Sequence, residues 1–300
     1  MKKEDLHGFV PAVVTPFDEA GNIMEDAFQS LVGWLIGQGA TAICVSGDNG
    51  ESWTLSAAEK GRLTWLAVDE AAGRVPVITG CSATTLKNSV DYALAAKENG
   101  AAAVLSMPQT YVLKTTRDEL QGRFEKLNAA IDMPIVAYNS PRRAGLNLSI
   151  DDIAAIMDVA PIIGIKESNR DYFHHTHLIK RFADKMAIMV GPCHYIIPGI
   201  ALGAHGFIAT GPEFLGADTA NIASLAKEKP DQKQADIHYK LTVLYELLMV
   251  NSTWPAAFKA ALNLIGQPAG VPRDPVNPAT NEVVDTIKRT FDDLGISYQS

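Results

Sequence analysis

Two apolar runs in this chain end in the same way, each on a side chain that can do chemistry. Pro161-Ile162-Ile163-Gly164-Ile165 closes on Lys166 and then Glu167-Ser168, and Pro134-Ile135-Val136-Ala137 closes on Tyr138 and then Asn139-Ser140-Pro141. Runs of β-branched residues bounded by small and polar ones read as buried strands that stop there, so each run delivers an ionisable group to the rim of a core. Burial disfavours the protonated amine. The reading therefore expects the pKa of Lys166 to be lowered, leaving an uncharged nucleophile able to form a Schiff base with a ketone. A phenol titrating near pH 10 moves protons at neutral pH only where hydrogen-bonded neighbours tune it. Taken singly, the lysine reads as a solvated loop residue and the tyrosine as an amphipathic rim residue. Two such groups at the same end of two strands point to one site.

The elements that must position them repeat along the chain. Apolar, β-rich segments begin near Phe9, Ala42, Val75, Ala102, Pro134, Ile162, Met186 and Gly206. Between them lie stretches with helical periodicity, among them Glu25 to Gln38, Ser56 to Ala71, Thr84 to Asn99, Arg117 to Ala130 and Ile150 to Val159. Ser56 with Glu59, and Ser149 with Asp152, have the spacing of capping boxes. Almost wholly apolar strands separated by helices belong in a parallel sheet covered on its faces. Eight such units predict an α/β fold of the (β/α)8 TIM-barrel type over residues 1–227. After Phe214 the strand signal ends, and residues 228–300 read as a C-terminal helical extension beyond the polar segment Lys227-Glu228-Lys229-Pro230-Asp231. The rival, an open doubly wound sheet, would carry a glycine-rich turn after its first strand, where this chain has Val14-Thr15-Pro16-Phe17-Asp18. In a barrel the loops after the strands build the site, which brings Lys166, Tyr138 and the segment Ser46-Gly47-Asp48-Asn49-Gly50-Glu51 to one mouth.

Composition narrows the function classes. The 300 residues are 47% hydrophobic and 20% charged, the balance of a globular enzyme. The net charge is -8 without a basic block, so nucleic acid is not an expected partner. The polar start Met1-Lys2-Lys3-Glu4-Asp5-Leu6-His7 and the absence of a long apolar stretch predict a cytoplasmic protein with no membrane partner. Cys44, Cys81 and Cys193 are scattered and odd in number, which predicts buried free thiols rather than disulfides or a zinc site. His174, His175 and His177 are the one histidine cluster; no carboxylate pattern joins them, and they are expected to be solvated surface residues rather than metal ligands.

Four segments then carry a resemblance. Gly164-Ile165-Lys166-Glu167-Ser168, Tyr138-Asn139-Ser140-Pro141-Arg142-Arg143-Ala144-Gly145, Ala12-Val13-Val14-Thr15-Pro16-Phe17 and Gly73-Arg74-Val75-Pro76-Val77-Ile78-Thr79-Gly80 run in order through nearly the whole chain. Together they resemble the dihydrodipicolinate synthase and N-acetylneuraminate lyase family. The resemblance implies that Lys166 forms an imine with pyruvate or another 2-oxo acid and that Tyr138 relays protons. It implies that Arg143 lies near the substrate carboxylate, that the backbone carbonyl of Ile208 faces the reactive centre, that no metal or cofactor is used, and that the protein is a homotetramer of tight dimers.

Departures from the pattern bear on the reaction. Where family members carry two hydroxyl residues after the second strand, this chain has Asp48 and Asn49. Asp48 is expected to accept a hydrogen bond from Tyr138 and to become an unusual acid-base group, and Asn49 to offer amide and backbone donors to a carboxylate. The second tyrosine of the synthases, supplied by a neighbouring subunit, has its nearest counterpart in Tyr111 of Met107-Pro108-Gln109-Thr110-Tyr111. These changes favour an aldolase or dehydratase acting on a 2-oxo acid such as a 2-keto-3-deoxy sugar acid. The alternatives are 4-hydroxy-tetrahydrodipicolinate synthase, a catalytically lapsed 2-oxo-acid-binding protein, a metal-dependent aldolase, and a flavin or phosphate barrel using the turns near Gly191 and Gly211.

Overall fold

A computed structural model describes residues 1–112 and 114–299. Eight parallel strands follow one another: β1 (Gly8–Phe9), β2 (Ile43–Val45), β3 (Val77–Gly80), β4 (Ala103–Ser106), β5 (Ile135–Asn139), β6 (Ile162–Glu167), β7 (Ala187–Val190) and β8 (Gly206–Phe207). Each pairs with its sequence neighbour, β8 pairs with β1, and a parallel bridge between Ala12 and Cys44 closes the ring between β1 and β2. This is a (β/α)8 barrel. The helices between strands are α1 (Glu25–Gly37), α2 (Ala57–Ala71), α3 (Leu86–Glu98), α4 (Arg117–Ile131), α5 (Pro141–Ala144), α6 (Ile150–Met157), α7 (Tyr172–Phe182) and α8 (Ile196–Ala201). After β8 comes α9 (Ile222–Leu225), and a helical extension follows with α10 (Gln232–Val250), α11 (Ala256–Leu264) and α12 (Asn281–Leu294).

Strand residues are buried on both faces, as a sheet with side chains inside and helices outside requires. Alternate residues therefore enter two cores. Leu6, Val10, Ala42, Ile78, Ala103, Leu105, Val136, Ala187 and Met189 pack inside the ring, and the remaining strand residues meet the helices. Helix starts follow their caps: Ser56 accepts from the Glu59 amide and Ser149 from the Asp152 amide, each with the carboxylate reaching back, and each such cap contributes roughly 1 kcal/mol.

The third strand begins at Val77, two residues later than the apolar run, because Pro76 has no N–H to give the ladder. All three cysteines are free and buried. No described helix is long and apolar enough to cross a membrane.

Candidate active site

Period two along the strands puts Tyr138 and Lys166 on the inner face, and the register of β5 with β6 sets them directly opposite each other. The Lys166 Nζ lies 4.4 Å from the centre of the Tyr138 ring. Both are buried, with 5% and 4% of their surface exposed. The two groups that the sequence brings to one mouth are neighbours at the C-terminal end of the barrel.

The expected fall in the Lys166 pKa is not what this pocket produces. Burial pushes the ammonium down, but the charges of Tyr138, Cys44 and Asp48 and the hydrogen bond with Tyr138 push it up further, and the net direction is upward. A strand-end lysine reads as desolvated from sequence; its three acidic neighbours come from β2, the turn after it and β5, and are visible only in the fold. To act as a nucleophile the amine must first lose a proton, and Tyr138 is the side chain in reach.

The turn after β2 is held from several sides. Asn49 Nδ2 donates to Ala12 O at 2.9 Å and to Thr210 Oγ1 at 2.7 Å, Thr15 Oγ1 donates to Gly50 O at 2.8 Å, and Lys259 Nζ contacts Glu51 Oε1 at 2.6 Å. Ser46 and Glu51, at its two ends, adopt left-handed backbone with φ of 51° and 53°, a conformation that costs non-glycine residues roughly 1 kcal/mol or more. Gly80 admits the turn: a Cβ there would lie 2.2 Å from Ser46 O. Among the described residues, the backbone N–H groups of Asp48 and Asn49, like those of Gly47 and Gly50 beside them, donate to no backbone carbonyl, which leaves a row of donors in one turn.

Two expectations need correction here. Asp48 does not accept from Tyr138; its Oδ2 accepts from Arg143 Nε at 2.7 Å, because α5 carries Arg143 back across the mouth. The side-chain amide of Asn49 is spent on tying the turn to Ala12 and Thr210, so only backbone donors remain there for a carboxylate. The central carbon of the Arg143 guanidinium lies 6.0 Å from the centre of the Trp53 ring, and among the described residues its Nη atoms have no hydrogen-bond partner.

A cavity of about 50 Å³ surrounds these groups, lined by Asp48, Asn49, Tyr138, Arg143, Lys166 and Ile208 together with Ser168 and Thr210. All six residues singled out in the sequence therefore meet at one cavity. The extension completes its wall with Tyr245, Met249 and Trp254, which sequence reasoning missed because nothing local ties a helix that follows β8 to the barrel mouth. A second cavity of about 530 Å³ shares Asp48, Tyr138 and Arg143, and Tyr111 stands on its wall with 87% of its surface exposed. A larger cavity, about 670 Å³, lies between α1 and the extension and contains none of these groups.

The outward residues of β5 and β6 build a support. Asn139 Nδ2 donates to both oxygens of Glu167, at 3.1 and 3.0 Å, the Asn169 N–H adds 2.7 Å, and His174 Nε2 lies 3.1 Å from Oε2. His174 and His175 are thus buried rather than solvated, and only His177 is exposed. The signal was available: His175, Leu178, Ile179 and Phe182 share one face of α7. Among the described residues no three His, Cys, Asp or Glu side chains are grouped to hold a metal.

Comparison with known proteins agrees along the whole chain. The sequence profile of the Dihydrodipicolinate synthetase family matches residues 5–294. The 4-hydroxy-tetrahydrodipicolinate synthase of Methanocaldococcus jannaschii is 31% identical over 290 residues, covering 96% of this chain and 99% of that protein. The crystal structure of dihydrodipicolinate synthase from Aquifex aeolicus superposes with a TM-score of 0.91 at 27% identity, covering 98% of this chain and 100% of the other. That of the Acinetobacter baumannii dihydrodipicolinate synthase complexed with pyruvate gives 0.90 at 27% identity, covering 97% and 99%. Matched from end to end in sequence and in fold, the chain belongs to the dihydrodipicolinate synthetase family and is an enzyme of the lyase class.

Proposed function

We propose that this enzyme is a Schiff-base-forming aldolase or dehydratase acting on pyruvate or a larger 2-oxo acid, such as a 2-keto-3-deoxy sugar acid. The observation that carries the reading is the buried Lys166 amine, 4.4 Å from the Tyr138 ring at the open end of the barrel. Its support from relatives is the pyruvate in the Acinetobacter baumannii structure.

In this mechanism Lys166, once deprotonated, adds through Nζ to the C2 carbonyl of the substrate. Two protons are delivered to the carbonyl oxygen, water leaves, and a protonated imine remains. The imine withdraws electrons from C3, so a bond from C3 to a proton, or the C3–C4 bond, can break with its electrons held as an enamine, and an enamine formed by loss of the C3 proton can push a hydroxyl off C4, which leaves as water once protonated. Tyr138 carries the protons in and out. The substrate carboxylate takes the free backbone N–H groups of Asp48 and Asn49 and the open edge of Arg143, an arrangement suited to a planar anion. Asp48 acts through its ion pair with Arg143, and the Ile208 carbonyl faces the reacting carbons. The reading also divides the chain after residue 227, with the extension closing the mouth, and takes the assembly as a cytoplasmic homotetramer of tight dimers.

A second reading, 4-hydroxy-tetrahydrodipicolinate synthase, has the name of the archaeal relative in its favour. The loss of both hydroxyl residues at Asp48 and Asn49 weighs against it. Borohydride reduction in the presence of pyruvate should fix one adduct on Lys166, read by peptide mass. No adduct on folded protein would remove the Schiff-base mechanism under either name.

A further inference from the structure

The pairing of β5 with β6 is irregular where it starts. Ile135 faces Ile162 but Val136 faces Gly164, so Ile163 is an extra residue on β6, and the pairing is regular only from there to Asn139 and Glu167. A slip of one residue would turn Lys166 from the inside of the barrel to the helix side, so a pin beyond the irregularity protects the site. The side chains next to the reacting pair supply one. Asn139 and Glu167 face each other one residue past Tyr138 and Lys166, fully buried on the outer side of the sheet. The Asn139 amide spans both Glu167 oxygens, which also take the Asn169 N–H at 2.7 Å and lie against His174 Nε2 at 3.1 Å. The same asparagine closes the loop that carries Arg143. Its Oδ1 accepts from the Leu148 N–H at 3.1 Å, and its Nδ2 donates to Asn147 Oδ1 at 3.1 Å.

We infer that Asn139 and Glu167 are positioning residues: their buried pair holds β5 in register with β6 where Tyr138 faces Lys166, and holds the Arg143 loop at the same cavity. The assignment rests on the Schiff-base reading above and adds what sets the geometry of its reacting groups. Neither residue lines the cavity, so both act through their neighbours. Rates are steep in such geometry, and misplacing a reacting group by about 1 Å can cost roughly 10²-fold.

The test reverses the pair. Asn139→Asp sets two carboxylates face to face; sharing one proton they still bond, and fully ionised they repel. The other titratable side chains that face the pair are His174 and His175 of α7, present in every variant. Borohydride trapping of pyruvate is measured per folded molecule, with circular dichroism at each pH. Asn139→Asp should trap within about threefold of the wild-type rate at pH 6 but roughly 10- to 100-fold more slowly at pH 9, with a raised half-saturating pyruvate concentration. Lost stability alone would lower the folded fraction and leave the half-saturation and pH dependence of the folded molecules unchanged. Glu167→Gln alone leaves an amide facing an amide and should trap about 3- to 10-fold more slowly than wild type. Combining the two substitutions rebuilds an amide–carboxylate bond the other way round and should bring the rate back to within about threefold of wild type. A ratio of wild-type to Asn139→Asp rates that does not change with pH, or a folded double variant no faster than Glu167→Gln, would each overturn the assignment while the wild-type adduct keeps the Schiff base standing. If Asn139→Asp does not fold, the second comparison decides alone. No adduct on the wild-type protein removes the Schiff base and this assignment together.

Discussion

Arg143 Nε donates to Asp48 Oδ2 at 2.7 Å across 95 residues of sequence, joining the first helical turn after β5 to the turn after β2 at the cavity that Lys166 also lines. The pair resolves a difficulty raised by the sequence. A carboxylate in place of a hydroxyl at position 48 would repel an anionic substrate, and the guanidinium compensates that charge while keeping one edge for the ligand.

Breaking the pair from either side should have opposite effects. Asp48→Asn removes an anion and frees a cation, so KM for pyruvate should fall by about 3- to 10-fold at low ionic strength, with a smaller change at high salt. Arg143→Met leaves the carboxylate uncompensated and should raise KM by about tenfold or more. Steady-state kinetics on both variants and on the double variant read the coupling, and additive effects would mean that the two side chains act separately.

The upward direction of the Lys166 pKa has a kinetic signature. Only the neutral amine condenses, and its fraction grows about tenfold per pH unit as long as the pH stays below the pKa. Borohydride trapping with pyruvate should therefore accelerate continuously from pH 6 to 9. A plateau near neutrality would show instead that burial wins and that the amine is already free. Tyr138→Phe should slow trapping by roughly 10²- to 10⁴-fold, the usual loss for a positioned acid-base group, with the fold intact by circular dichroism.

How much of this was legible in the sequence follows from which interactions are local. The barrel was legible because the strands are apolar runs and several helix starts carry their own caps, so Ser56 and Ser149 announce α2 and α6 by spacing alone. Lys166 and Tyr138 were legible because they end their runs at the same face. What escaped was set by contacts between distant segments. The charges around Lys166, the partner of Asp48, and the extension residues at the mouth all depend on how far α5 and α10 reach across the barrel. The histidines of α7 were misread for a different reason: polar side chains were taken as surface although their spacing matched the buried face.

Glu213 provides a test of stability that leaves the site alone. It follows β8, its Oε2 accepts from the Gly211 N–H at 2.6 Å, and burial pushes its carboxyl up to about 7. A folded pKa above the unfolded one means that the native state binds more protons between the ordinary carboxylate range near 4.5 and about 7, so stability from this group is full below that window and lost as pH rises through it. Glu213→Gln removes the titration and can keep the hydrogen bond. Denaturant unfolding should show no gain at pH 4 and roughly 2–3 kcal/mol at pH 8. Equal stabilisation at both pH values would show that the gain is not the charge.

Lys259 and Glu51 make the strongest case that the extension shapes the site rather than merely covering it. The ammonium is in contact with Glu51 Oε1 at 2.6 Å and donates to Thr15 O at 2.6 Å and Val271 O at 2.7 Å, while Glu51 Oε2 accepts from the Arg273 N–H at 2.9 Å. Burial lowers the Lys259 pKa to about 8 against the opposing pull of Glu51, and both side chains are almost completely enclosed. Lys259→Met strands a carboxylate in the core and should cost roughly 3–5 kcal/mol. Glu51→Gln combined with Lys259→Met leaves no net charge and should recover part of that loss. Stability alone would be a packing result. Because Glu51 ends the turn whose backbone N–H groups await the carboxylate, the double variant should also show a raised KM for 2-oxo acids with a smaller change in kcat, measured after its fold is verified. A double variant with wild-type KM would mean that the turn is held well enough by Asn49 and Thr15, and that the buried pair stabilises the protein without tuning the site.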